Sequence, residues 1–122
     1  MKRKEFEEHI KTKYGVTADH PWTKYRDNSV FRHKDSKKWF ALTMNISRSL
    51  LGLDGEGNID VVNLKCDFYL LCSLIEDEGF YSAYHMNKNN WITVLLDGSV
   101  GREKLCNLLE LSYKLTSKEK KQ

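Results

Sequence analysis

The stretch from Ala83 to Gly98 constrains this chain more than any other. Its second half, Trp91-Ile92-Thr93-Val94-Leu95-Leu96, alternates and reads as a strand. Ahead of it stands a polar knot, His85-Met86-Asn87-Lys88-Asn89-Asn90. Two strands, Tyr81 to Met86 and Trp91 to Leu96, are expected on either side of an Asn87–Asn90 turn. Strands joined so tightly are antiparallel. The knot holds more than a turn requires. Turn geometry asks for Gly, Asn or Asp, and gives no role to a Met and a Lys between a His and a Trp.

The rest of the chain extends this pattern. Residues 2–14 read as a helix, with Phe6, Ile10 and Tyr14 on one stripe and Gly15 as the stop. A loop through His20-Pro21-Trp22 to Asn28 follows, since Pro21 bars further helix. Ser29 to His33 is a short strand, Lys34-Asp35-Ser36-Lys37 a tight turn, and Lys38 to Ile46 an alternating strand. Gly52 to Asn58 is glycine-rich but has neither GxGxxG nor a Gly-Lys-Ser/Thr pair, so it is no phosphate cradle. Ile59 to Cys66 is a third strand. Asp67 caps a second helix, with Phe68, Leu71, Cys72 and Ile75 as its stripe. The last helix runs from Arg102 to about Thr116, with Leu105, Leu108, Leu109 and Ser112 on one side. The expected fold is α+β: a two-layer sandwich, an antiparallel sheet with helices on one face, in the order αβββαββα.

Period-two geometry then assigns the faces. Phe40, Leu42, Met44 and Ile46 are expected against the helices, and Trp39, Ala41, Thr43 and Asn45 away from them. With Val62, Leu64 and Cys66 inward, Asn63 and Lys65 point out, as do Trp91 and Thr93 opposite Ile92, Val94 and Leu96. The outer face thus mixes Trp, Asn, Thr and Lys. Such a surface is either half-solvated with its tryptophans under loops, or a platform where aromatics stack and amides hydrogen-bond.

At 122 residues the chain is one domain, taken as residues 1–117 with a basic tail at 118–122. Its 40% hydrophobic and 30% charged residues exclude a disordered chain. No apolar run approaches the roughly 20 residues that span a bilayer. No apolar signal core follows the basic Met1-Lys2-Arg3-Lys4, so a cytoplasmic, membrane-free setting is expected. Cys66, Cys72 and Cys106 lack metal-type spacing and read as buried, reduced thiols. The net charge of +3 decides little, but its distribution does more. Residues 32–38 carry Arg32, Lys34, Lys37 and Lys38 against Asp35 alone.

The segments Val30-Phe31-Arg32-His33, Lys38-Trp39-Phe40-Ala41-Leu42, Asn63-Leu64-Lys65-Cys66-Asp67, Ala83-Tyr84-His85-Met86-Asn87-Lys88, Trp91-Ile92-Thr93-Val94 and Ser112-Tyr113 carry a resemblance. In that order they resemble the MmcQ/YjbR family over roughly residues 20–115. One departure is Phe68, where the family often has Pro; proline there only favours the first helical turn. The resemblance implies a small α+β domain, similar to CyaY/frataxin and to type III secretion chaperones. It also implies a DNA-binding role, by likeness to a double-wing arrangement. It carries over no catalytic residues.

Weighed residue by residue, metal binding is not expected. Glu5, Glu7 and Glu8 are interleaved with Lys2, Arg3, Lys4, Lys11 and Lys13, which repel a cation. His9, His20, His33 and His85 show no ligand spacing. A Cys66, Asp67 and His85 constellation needs an exposed thiolate, yet Cys66 falls in an inward phase, so no enzyme and no cofactor is expected. The expectation is a monomeric, weak, low-specificity DNA-binding protein that uses basic hairpins. Its candidate residues are Arg32, Lys34, Lys37, Lys38, Lys65, His85, Asn87, Lys88 and Trp91. The alternative is a protein-interaction module, chaperone-like, with no nucleic-acid binding.

Overall fold

A computed structural model describes residues 1–117; the tail lysines Lys118, Lys120 and Lys121 lie outside the described residues. The elements are α1 (Arg3–Tyr14), β1 (Ser29–Arg32), β2 (Trp39–Ser47), β3 (Asn58–Lys65), α2 (Phe68–Leu74), β4 (Phe80–Ser82), β5 (Trp91–Leu95) and α3 (Arg102–Leu115). A 3-10 turn, Arg48–Leu51, follows β2. This is the expected α+β order. The sheet is antiparallel throughout, in the order β1-β2-β3-β5-β4.

The helices form where their stripes predict, and all three cover one face of the sheet. Phe6 and Ile10 of α1 are fully buried. Gly15 ends that helix in the left-handed region at φ 66°, its N–H donating to the Lys11 carbonyl. The Asp67 carboxylate accepts from the Leu70 N–H at 3.0 Å and caps α2. Leu105, Leu108, Leu109 and Ser112 of α3 are buried as expected. The stripe of α2 needs correcting. Its buried side is Leu71 and Leu74, while Phe68 is 50% exposed and Cys72 is exposed. In a helix of seven residues the two leucines set the buried arc, and Cys72, one step round from Leu71, falls outside it. Of the three thiols only Cys66 is fully buried, and Cys106 is half-buried.

The facing of β2 differs from simple alternation. Phe31 pairs with Ala41 but Arg32 pairs with Trp39, so Phe40 is an extra residue on β2. This β-bulge puts Phe40 and Ala41 both against the helices. Beyond it the phase is reversed. Leu42, Met44 and Ile46 lie on the far face, and Thr43 faces α1, donating to Glu7 Oε2 at 2.5 Å. The bulged Phe40 carbonyl accepts from Ser112 Oγ on α3 at 2.7 Å. Ser112 Oγ in turn accepts from the Lys65 N–H at 2.9 Å. One side chain thus bridges β2 and β3, whose own register begins at Leu42↔Asn63.

The far face is not half-solvated. Val30, Leu42, Met44, Ile46, Ile59, Val61 and Leu95 form a second buried cluster there. Irregular segments cover it: Trp22 from the 15–28 loop, Leu51 and Leu53 after β2, and Tyr84 and Met86 between β4 and β5. Asn63 and Thr93 are fully buried beneath that last segment.

Candidate nucleic-acid interface

The knot between β4 and β5 is held by side chains in place of a ladder. Thr93 Oγ1 donates to Asn63 Oδ1 at 2.5 Å and accepts from the Tyr84 N–H at 3.0 Å. Asn63 Nδ2 donates to the Tyr84 carbonyl at 2.8 Å. These bonds satisfy a backbone that leaves the sheet after Ser82, well before the expected end of the strand at Met86. The turn closes with the Trp91 N–H donating to the Asn87 carbonyl at 3.0 Å. Asn87 Oδ1 accepts from the Asn89 N–H, and Lys88 Nζ donates to the Ala83 carbonyl at 3.1 Å. The surplus of polar residues in the knot is therefore largely its own scaffolding. His85 stands apart, at φ 64°. A non-glycine residue in that region is uncommon, though His tolerates it better than most.

Topology gathers the predicted cations. Where β1 and β3 end, β2 and β5 begin. The 33–38 hairpin, Lys65 and the 87–90 turn thus share one end of the sheet. Arg32 opposes Trp39, and Lys65 opposes Trp91. All four lie on the far face, forming a row of cation, aromatic, cation, aromatic across β1, β2, β3 and β5. Arg32 lies over the Trp39 ring at 5.7 Å and pairs with Asp19 at 3.0 Å. In the hairpin, Lys37 takes φ 67° and its N–H donates to the His33 carbonyl, while Lys34 Nζ reaches the end of α1 beside Gly15. The negative end of the helix dipole favours an ammonium there. Lys34, Lys37, Lys38 and Lys88 are exposed and Lys65 half-buried. Among the described residues, only Arg32 of this set is in an ion pair, whereas Arg3, Lys13, Arg102, Lys104 and Lys114 are engaged by carboxylates elsewhere. His85 and Asn87 are brought to the far face and the end turn, respectively.

The hairpin itself is anchored. His33 is buried, and its Nε2 lies 2.8 Å from Thr116 Oγ1, which donates to the Ser112 carbonyl. Burial pushes the imidazole pKa below its ordinary value. Burial also pushes the Cys66 thiol up to about 11, where little thiolate is present. No cluster of metal-ligating side chains occurs among the described residues. Sequence reasoning passed over Trp22 and Tyr25, in the loop that closes on Trp39. Trp22 meets Trp39 edge-on at 5.6 Å. The only signal was the aromatic content of a loop.

The YjbR family model matches residues 11–115. The chain belongs to the YjbR family. The bulge, the Ser112 bridge and the knot described above thus belong to a YjbR domain. YyaQ of Bacillus subtilis is 40% identical over 116 residues, 95% of this chain and 98% of that protein. A crystal structure of a Pseudomonas syringae protein matches with a TM-score of 0.94 at 44% identity, covering 96% of this chain and all of that one. A solution NMR structure from the same organism matches with a TM-score of 0.89 at 43% identity, covering 100% and 98%. A Deinococcus radiodurans protein matches with a TM-score of 0.64 at 27% identity, over 85% of this chain and 70% of the other.

Proposed function

We propose that this YjbR domain binds nucleic acid weakly and with little sequence preference, through the hairpin end of its sheet. The observation that supports this is the convergence of Arg32, Lys34, Lys37, Lys38, Lys65 and Lys88 there, with Trp39 and Trp91 interleaved. These six cations face three carboxylates: Asp19 pairs with Arg32, Asp67 caps α2, and Asp35 accepts from the Ser36 N–H. Exposed lysines outside any ion pair suit phosphates, which position a protein without reading sequence. The role is that of a cytoplasmic binding protein, not of an enzyme. No helix among the described residues is long and apolar enough to cross a membrane.

With Arg32 engaged by Asp19 and Lys88 tied to Ala83, roughly four cations remain to neutralise phosphate. The expected slope of log affinity against log salt is about −3 to −4 on duplex DNA. Replacing Lys34, Lys37 and Lys38 together with Gln flattens it to about −1. Fluorescence anisotropy with a labelled duplex across a salt series measures both. Absence of binding at low salt, or a triple variant with an unchanged slope, refutes the proposal.

A protein-interaction role rests on a different observation. Tyr69 is 85% exposed beside the half-exposed Phe68, at the start of α2. An interface built there would be nearly insensitive to salt.

A further inference from the structure

The far face holds a cavity that the basic residues do not account for. It measures about 290 Å³ and opens between the 20–28 loop and the knot. Its aromatic walls are Trp22, Tyr25 and Trp39; Met86 lines it too, and the polar atoms come from Asn28 and His85. The volume sits at the lower edge of the roughly 300–1,000 Å³ range of small-molecule sites, the scale of one ring system. Trp22 and Trp39 stand at 90° to each other. A flat ring stacked on one indole therefore meets the other edge-on, the two favoured aromatic geometries. Tyr25, 56% exposed, stands at the rim. His85 reaches the cavity from a left-handed backbone, a conformation a plain turn could have given to glycine.

Charge identifies the occupant. The cavity shares Trp39 with the cation row, and the Arg32 guanidinium lies over that ring. A ligand here has an aromatic body and an attached anion. We propose that the cavity receives one unpaired base of a single-stranded nucleic acid, whose flanking phosphates run along the row toward Lys65, with the Asp19-paired Arg32 packed over Trp39. Methionine and tryptophan accept any base face, while the Asn28 amide and the His85 ring meet the base edge. This rests on the nucleic-acid reading above and sharpens it: the domain favours single strands, because a base stacked in a duplex cannot enter.

The test uses the full chain, a short oligothymidylate, a duplex of the same length, and thymidine monophosphate. Two variants leave the cations in place: Tyr25→Ala removes an exposed wall, and His85→Gly removes the imidazole while suiting φ 64° better than histidine does. The strand is expected to bind more tightly than the duplex and to quench tryptophan fluorescence. Tyr25→Ala is expected to weaken strand binding by about fivefold to a hundredfold, the loss of one base–aromatic stack, and to leave duplex binding unchanged; His85→Gly is expected to weaken strand binding more than duplex binding, by losing the contact to the base edge. Equal binding of strand and duplex, unaltered by either variant, overturns the cavity proposal while leaving the basic interface standing. Binding of neither overturns the interface itself. If the mononucleotide binds as tightly as the strand, the site serves a free nucleotide and the single-strand assignment is wrong.

Discussion

Replacing Ser112 with Ala tests the joint on which the hairpin end depends. Ser112 is fully buried, and its hydroxyl donates to the Phe40 carbonyl at 2.7 Å while accepting from the Lys65 N–H at 2.9 Å. Alanine leaves the buried Phe40 carbonyl and the part-buried Lys65 N–H without this partner, because the regular pairing of β2 with β3 begins only at Leu42↔Asn63. A buried group stripped of its partner costs about 1–3 kcal/mol. The sum is about 2–4 kcal/mol after partial relaxation, or a drop in Tm on the order of 10 °C for a domain of this size. Urea unfolding followed by circular dichroism reads the change as a lower midpoint with the slope preserved. Ser73→Ala, exposed on α2, is the control and should stay within about 0.5 kcal/mol. A Ser112→Ala loss below about 0.5 kcal/mol would show that the bulge closes on itself and that the serine is no bridge.

Other expectations follow from burial and charge. Leu64→Ala, at 1% exposure, should cost about 2–5 kcal/mol in the same unfolding assay, and a loss under 0.5 kcal/mol would take Leu64 out of the core. Under native conditions a thiol reagent should label the exposed Cys72 rapidly and Cys66 only on unfolding; fast labelling of Cys66 would reopen a catalytic role for it. Burial lowers the His33 pKa in the fold, so the neutral ring is favoured and the unfolded chain takes up the proton first. Its contribution is therefore complete above about pH 6.5, the ordinary histidine value, and is lost as the pH falls below that toward the folded pKa. NMR titration should place the His33 midpoint below 6.5, and His33→Gln should flatten the acid-side loss of stability. A midpoint at or above 6.5 would contradict the buried, neutral assignment.

Much of this fold is legible in the chain because its cues are local. Phe6 and Ile10, or Leu105, Leu108 and Leu109, sit at helical spacing, and Gly15 stops its helix where a left-handed residue is needed. The bulge is not legible. Trp39 to Ile46 reads as unbroken alternation, and the bulged Phe40 carbonyl finds its partner in a serine 72 positions away. A one-residue slip carries every later side chain to the other face, which is why Leu42, Met44 and Ile46 turn up beneath loops instead of helices. Asn63 and Thr93 mislead for a related reason. They read as polar and outward, and they are outward from the helices, but their amide and hydroxyl serve the Tyr84 backbone and so lie fully buried. The lysines of the turns are legible because charged turn residues stay exposed whatever the packing. Their convergence is not, since it needs the strand order β1-β2-β3-β5-β4.

The two polar devices have a common consequence for the proposed interface. Regular pairing of β2 with β3 starts at Leu42↔Asn63, while β3 and β5 stay paired out to Lys65↔Trp91. At the hairpin end β2 therefore parts from β3, and Ser112 spans the opening from the helix side. On the far face the Asn63–Thr93 pair fixes the knot over β3 and β5. Trp39 and Lys65 thus flank the stretch where β2 and β3 are unpaired, each held by hydrogen-bonded backbone, with exposed lysine side chains around them. Affinity should then depend on the scaffold as well as on charge. Ser112→Ala, assayed below its unfolding temperature, should weaken single-strand binding while leaving the salt slope near −3 to −4, because it moves Trp39 relative to Lys65 without removing a cation. Unchanged affinity in the folded variant would mean that this unpaired stretch has no part in recognition.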